Sequence, residues 1–339
     1  MDSRMRQVRV HGANQFSLDA VHTPEPGPTD ILVEVAACGI CGSDPFYISH
    51  GSFAAEGQPM PLGHEFAGTI SAVGDEVAHF RVGQKVVVDP YLQMIGNGGL
   101  EGAFAPSVLV RDVINHADMV HLLPDNLTME HGALVEPLAV SMHAVNRSRI
   151  RDGEKAVIIG AGPIGLGAVV VLRYLGIEEV VVADMSVKRL AIAAQLGATP
   201  CDVTQCELRD FLIEHHGESE LKVRGETFPD TQVFIEATGV AQALEDCVSM
   251  ATMGARIVVV GVHKSTIPLD PLLLLSEELE LIGSKGYPTE FQQVLEMLCS
   301  GNVEVMPMIS HRFPLRQFSE ALEIAEDVER SAKVMIVME

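Results

Sequence analysis

A chain of 339 residues is long enough for more than one core, since single cores stop growing near ~250–300 residues, and two domains are expected. Its 23 basic against 46 acidic residues give a formal net charge of −23, which repels phosphate backbones and anionic membrane faces. Neither nucleic acid nor a membrane is therefore an expected partner. The opening MDSRMRQVRV lacks the apolar core of a signal peptide, and no run approaches the ~20 apolar residues of a membrane span, so a cytoplasmic location is expected. Six cysteines scattered through so long a chain predict free thiols, and Cys201, Cys206, Cys247 and Cys299, in or beside apolar segments, read as core thiols.

In chain order, ILVEVAACGI, FAGTISAVGDEV, KVVVDPY and SVLVRDVI read as short strands of an antiparallel barrel or sandwich, with reversals at Gly74-Asp75 and Gly83-Gln84. From Glu154 the texture becomes strand and helix in alternation. AVIIG is followed by the helix-compatible PIGLGAVVVLRYLG and the strand VVVAD. A helix over SVKRLAIAAQLG comes next, with Ser186 as N-cap and Gly197 as its stop. Strands at QVFIEATG, ARIVVVG and LELIG complete a parallel doubly wound sheet. The polar stretch HHGESELKVRGETFPD reads as an exposed connection within it. Helices near 289–300 and 315–327 and the strand KVMIVM close the chain, most simply by returning to the first domain.

Gly160, Gly162 and Gly165, in the run GAGPIG with Pro163 and Ile164, stand between a predicted strand and a predicted helix. The first glycine permits the turn, the second lets backbone approach a pyrophosphate, and the third lets helix pack on strand. The helix N-terminus offers N–H groups to the phosphates. Asp184 ends the following strand, where a carboxylate accepts from both adenosine ribose hydroxyls and repels a 2′-phosphate. NAD is thus favoured, with Lys188 and Arg189 near enough in sequence to keep NADP open.

GICGSD places Cys41, Ser43 and Asp44 at one turn, GHEFAG places His64 and Glu65 at another, and VEPLAV brings Glu136 just before the second domain. Thiolate, imidazole and carboxylate together suit zinc, which in catalytic sites keeps three protein ligands and one open position. Read alone, Cys38 and Cys41 are equally a redox pair or half of a zinc ribbon, although no second CxxC completes a ribbon.

These motifs, with Gly68, Gly74 and the EATG that carries Thr238, resemble the zinc-dependent medium-chain alcohol dehydrogenases, in particular the sorbitol, butanediol and threonine dehydrogenase branch. The resemblance covers nearly the whole chain. It implies a GroES-like β-barrel catalytic domain (1–137 and 286–339) and a Rossmann-type NAD-binding domain (138–285), with the active site in the cleft. It implies one catalytic zinc on Cys41 and His64, with Glu65 and Glu136 binding it or holding its water. Asp44 would orient His64, and Ser43 would pass the alcohol proton toward the cofactor ribose. Gly160, Gly162, Pro163, Ile164, Gly165, Asp184, Arg189 and Thr238 would hold the dinucleotide. A homodimer or homotetramer acting on a small alcohol or polyol is the corresponding expectation.

Two departures from the family pattern stand out. Phe46 occupies a place where many members carry a proton-relay histidine, so the relay would end at the ribose or use another group, such as His50. PYLQMIGNGGLE, between Asp89 and Gly102, holds no cysteine where relatives commonly bind a structural zinc, so a second zinc is not expected. Phe46, Tyr47 and Phe53 would make the pocket apolar and favour hydrophobic secondary alcohols. Two other functions share these motifs: a zinc-less enone or quinone reductase on the same scaffold, and a nucleotide-binding protein without catalysis.

Overall fold

The computed structural model describes residues 4–52, 58–220 and 227–339. Phe53 lies outside them. The elements run β1 (Arg4–Gly12), β2 (Gln15–His22), β3 (Ile31–Gly39), α1 (Ser43–His50), β4 (Met60–Pro61), β5 (Glu65–Val73), β6 (Lys85–Val88), β7 (Ser107–Val110) and β8 (Val120–Leu122). Next come α2 (Met129–Ala133), α3 (Val135–Ser148), β9 (Ala156–Ile159), α4 (Pro163–Tyr174), β10 (Val180–Asp184), α5 (Val187–Gln195), β11 (Thr199–Asp202) and α6 (Leu208–His216). The rest are β12 (Val233–Glu236), α7 (Ala241–Met250), β13 (Arg256–Val259), α8 (Pro271–Ser276), β14 (Glu280–Gly283), α9 (Glu290–Cys299), β15 (Ile309–Pro314), α10 (Phe318–Glu326) and β16 (Lys333–Val337).

Two compact units divide the chain: 1–136 with 309–339, and 137–308. In the first, a seven-stranded sheet runs β15-β16-β3-β5-β6-β8 with β7 also on β3, beside a three-stranded sheet β2-β1-β4. Inward residues alternate along β3, where Ile31, Val33 and Val35 are buried, as one buried sheet face requires. β16 pairs antiparallel with β3, Met335 opposite Gly39, so a late segment of sequence lies beside one of the first strands.

In the second unit a six-stranded sheet has the order β11-β10-β9-β12-β13-β14, all its pairs parallel. This is the doubly wound Rossmann arrangement, with the order reversing between β9 and β12. β9, every residue of it buried, carries no polar face because helices cover both sides of such a sheet. Among the described residues no helix is long and apolar enough to cross a membrane.

Three sequence expectations are corrected. Residues 286–308 belong to the second unit, because α9 is tied to α3: His143 Nδ1 lies 2.9 Å from Glu290 Oε1, and Asn146 Nδ2 donates to the same oxygen at 3.3 Å. The polar 215–230 segment is not simply exposed, since His216, Ser219 and Phe228 are buried and the Arg209 guanidinium sits 5.0 Å over the Phe228 ring; its residues 221–226 are outside those described. Cys206 and Cys299 are exposed rather than in the core, while Cys38, Cys201 and Cys247 are buried; all six cysteines are free thiols.

Candidate active site

Strand pairing assembles the metal-type residues. β3 and β5 are antiparallel with Gly39 opposite Glu65 and Cys38 opposite Phe66, so the turn leaving β3 and the turn entering β5 lie together. Cys41 sits on the first turn and His64 on the second. One ligand atom each from Cys41, His64 and Glu65 lies within 4.8 Å of the other two, with His64 and Glu65 buried. Glu136, in the first turn of α3, is buried but falls outside that three-residue cluster.

Charge in this pocket is predominantly negative. Burial alone would push His64 down, but the charge and hydrogen bond of Cys41, with Asp44 and Glu136 adding, raise it to about 10. Asp44, fully buried, is pushed up to about 6 by burial, with His64 and the Cys41 N–H opposing. The Cys41 N–H donates to Asp44 Oδ2 at 2.9 Å. Asp44 Oδ1 stands 3.9 Å from His64 Nδ1, and both atoms are buried without a hydrogen-bond partner. A thiol, an imidazole and carboxylates converging in a buried, electron-rich pocket are a donor set that fits a divalent zinc ion.

Lys333 is the site residue that sequence reasoning missed. Its ammonium, on β16, donates to Glu65 Oε1 at 2.8 Å, to Glu65 Oε2 at 2.6 Å and to the Ile40 carbonyl at 3.0 Å. Burial would lower Lys333, but the charge of Glu65, then that of Cys41, hold it above its ordinary value. The only signal in the sequence was a lysine opening the apolar run KVMIVM, which reads as an ordinary exposed strand end.

Around the cluster, Tyr47 is more than an apolar wall: its hydroxyl donates to Asn97 Oδ1 at 3.1 Å. Burial, then the charges of Cys41 and Asp44, raise its pKa. His50 is turned to its own helix, Nδ1 lying 3.1 Å from the Phe46 carbonyl and 3.0 Å from Ser49 Oγ. Its ring lies against that of Phe46, centroids 4.1 Å apart and planes tilted by 30°.

In the second unit the glycine run follows β9 and opens α4. Gly160 has φ +101°, left-handed backbone that favours glycine, and a Cβ there would stand 2.7 Å from Thr238 Cγ2. A Cβ on Gly165 would meet the Gly160 carbonyl at 1.8 Å, which enforces the close approach of helix to strand. At Gly162, which caps α4 ahead of Pro163, the nearest atom to a Cβ would be Arg189 Nη1 at 3.9 Å, leaving open space at the helix N-terminus. Ile164 faces inward through its backbone, its carbonyl accepting from Ser141 Oγ at 2.9 Å.

Asp184 ends β10 and accepts from Ala161 N at 2.6 Å and Ser186 N at 2.8 Å, so it orders the glycine turn itself. Thr238 N donates to the fully buried Glu236 Oε1 at 2.7 Å, which also accepts from Gly239 N at 2.9 Å. His263 Nε2 lies 2.8 Å from Glu236 Oε2. Glu236 thereby fixes the strand end that faces Gly160, a role hidden in the sequence by its place in an apolar strand.

A GroES-like unit with a zinc-type donor set and a Rossmann unit with a complete glycine turn define a metal- and dinucleotide-dependent oxidoreductase. The chain matches the alcohol dehydrogenase GroES-like domain over residues 27–125 and the zinc-binding dehydrogenase family over 163–300. It belongs to the zinc-dependent medium-chain alcohol dehydrogenases. It is 34% identical over 94% of its length to 94% of a sorbitol dehydrogenase of Bombyx mori, and 33% identical over 94% to 92% of that of Bos taurus. Among solved structures, 2R,3R-butanediol dehydrogenase of Bacillus subtilis superposes with a TM-score of 0.86 at 25% identity, covering 98% of this chain and 99% of the other. The alcohol dehydrogenase TADH of Thermus sp. ATN1 gives 0.83 at 27% identity, over 99% and 100%.

Proposed function

We propose that the chain oxidises a secondary alcohol or small polyol with NAD, or reduces the corresponding ketone, at one zinc ion held by Cys41, His64 and Glu65. The observation that carries this reading is the convergence of one ligand atom from each of those three side chains within 4.8 Å, His64 and Glu65 buried and Cys41 partly so. The polyol range rests on similarity to sorbitol and butanediol dehydrogenases and on a ligand set with a carboxylate in it. When bound, zinc supplies Lewis acidity that eases loss of an alcohol proton near neutral pH.

The chain's own residues do the rest. Asp44 orients the His64 ring from behind, and Lys333 fixes the direction of the Glu65 carboxylate. Glu136, outside the triad, would bind the ion directly or hold its water. Ser43 takes the proton from the substrate hydroxyl toward the cofactor ribose, and Phe46 and Tyr47 exclude water from the alcohol's carbon chain. Asp184 accepts from the adenosine ribose and discriminates against a 2′-phosphate, which selects NAD. Gly160, Gly162, Pro163, Ile164 and Gly165 present backbone to the pyrophosphate, with Arg189 and Thr238 flanking it.

Residues 1–136 and 309–339 act as the catalytic domain and 137–308 as the nucleotide domain. Among the described residues β11 and β14 each pair with one strand only, edges on which a homodimer or homotetramer would be built; the proposed setting is cytoplasmic.

The test is metal content with turnover: about one zinc per chain, and NADH formation with a secondary alcohol or polyol that chelation abolishes and zinc restores. Full activity in metal-free protein would overturn the reading in favour of a zinc-less reductase. NADH binding without turnover across diols, polyols, sugar acids and cyclic alcohols would favour a non-catalytic nucleotide binder.

A further inference from the structure

Cys201 and Cys206 flank the turn that follows β11, with their sulfurs 3.6 Å apart. Cys201 is buried in the strand and Cys206 is exposed, its Sγ also 3.4 Å from the Asp202 carbonyl. The turn between them is ordered by Asp202, whose Oδ1 accepts from Thr204 N at 2.9 Å and from Thr204 Oγ1 at 2.6 Å. That turn touches the dinucleotide side of the sheet: Asp202 is opposite Asp184 in the β10–β11 register, and Val203 N donates to the Asp184 carbonyl at 3.2 Å.

We propose that Cys201 and Cys206 form a reversible dithiol–disulfide site that reacts with small disulfides of the oxidised-glutathione class, and that a bound dinucleotide shields it. The second clause rests on the NAD reading of Asp184. Exposure makes Cys206 the attacking thiol. Its thiolate displaces one sulfur of the small disulfide, forming a mixed disulfide and releasing one small thiol. Cys201 then loses its proton to water and attacks Cys206 Sγ, forming the protein disulfide and releasing the second small thiol. Two protein thiols are oxidised and one small disulfide is reduced.

The order of events follows from the surroundings. Burial, then the hydrogen bond with Cys206, push the Cys201 thiol up to about 12, so it serves as the resolving group and not as the first nucleophile. The sulfurs stand 3.6 Å apart and must close to about 2 Å to bond, with Cys206 on the turn and Cys201 in the strand. A ring closed over so few residues constrains the unfolded chain weakly, which leaves the bond easy to reduce again. Ligands of a doubly wound sheet lie outside the carboxyl ends of its strands, so adenosine held at Asp184 would cover the neighbouring turn.

Trypsin cuts after Arg189 and Arg209 and so isolates both cysteines on one peptide, 190–209, with no other cysteine. The zinc-loaded full chain is equilibrated with oxidised and reduced glutathione, alkylated, digested and weighed. The expected result is a peptide lighter by two hydrogens, restored by dithiothreitol. In Cys201→Ser the same peptide should instead carry glutathione on Cys206, and in Cys206→Ser it should carry none. A peptide that keeps both thiols under conditions that glutathionylate the exposed Cys299 overturns the proposal, as does a Cys201→Ser peptide left unmodified. Saturating NADH should slow closure by about threefold or more, and an equal rate overturns the shielding. If the wild-type chain binds no NADH at all, it is the NAD reading that fails, and the thiol chemistry is judged on the mass data alone.

Discussion

Lys333 Nζ lies 2.6 Å from Glu65 Oε2, and both side chains are only 1% exposed. Removing one member of a buried pair leaves the other charge uncompensated, at a cost of about 3–5 kcal/mol, whereas removing both is far milder. Lys333→Met should therefore lower the stability of the zinc-free protein by that amount in urea unfolding, and Lys333→Met with Glu65→Gln should recover most of it. A single variant within about 1 kcal/mol of wild type would show that the pair contributes no such constraint.

Cys41 is the only sulfur among the three converging ligands. Cys41→Ser should bring zinc content from about one per chain to near zero and remove alcohol oxidation, while leaving NADH binding at wild-type affinity because the glycine turn is in the other unit. Elemental analysis together with NADH fluorescence titration reads both. Zinc retained at full stoichiometry would reassign the ligand set.

Asp184→Ala removes the acceptor for a ribose and the partner of Ala161 N. NADH should bind about tenfold more weakly, the equivalent of 1.4 kcal/mol, and the preference for NAD over NADP should narrow or reverse. An unchanged cofactor ratio would mean that another group makes the choice.

His216 is buried with Nδ1 2.8 Å from Thr231 Oγ1, and burial, then Lys155 and His215, bring its pKa down to about 4. The folded state thus prefers the neutral ring more than the unfolded state does, whose value is about 6.5. This contribution is whole above pH 6.5 and is lost progressively as pH falls toward 4, up to about 3 kcal/mol. Urea midpoints between pH 7.5 and 4.5 should fall more steeply for wild type than for His216→Gln. Parallel curves would exclude His216 as the source.

Legibility in the sequence followed distance along the chain. The Rossmann turn was readable because Gly160, Gly162, Gly165 and Asp184 belong to one strand–turn–helix–strand unit whose geometry is local. Cys41, His64 and Glu65 were readable only as three weak signals made one by family resemblance, since a strand register brings them together. Lys333 was not readable: its partner is 268 residues away, and nothing in KVMIVM distinguishes a buried ammonium from a solvated one. The same limit misplaced 286–308, because the amphipathic helix α9 declares that it has an apolar face but not which unit covers it.

The position of β16 has a consequence for how the protein is made. Strand β3, the turn bearing Cys41 and the Glu65 carboxylate all leave the ribosome long before Lys333, which reaches Ile40 across 293 residues of chain. Once residue 308 is made the Rossmann half has every strand it needs, while the barrel still lacks β15 and β16 and Glu65 still lacks its counter-charge. Chain order alone thus allows the strands of the nucleotide half to pair before Lys333 can reach Glu65. A chain that stopped before β15 would keep the glycine turn and Asp184 but leave Glu65 without its ammonium partner.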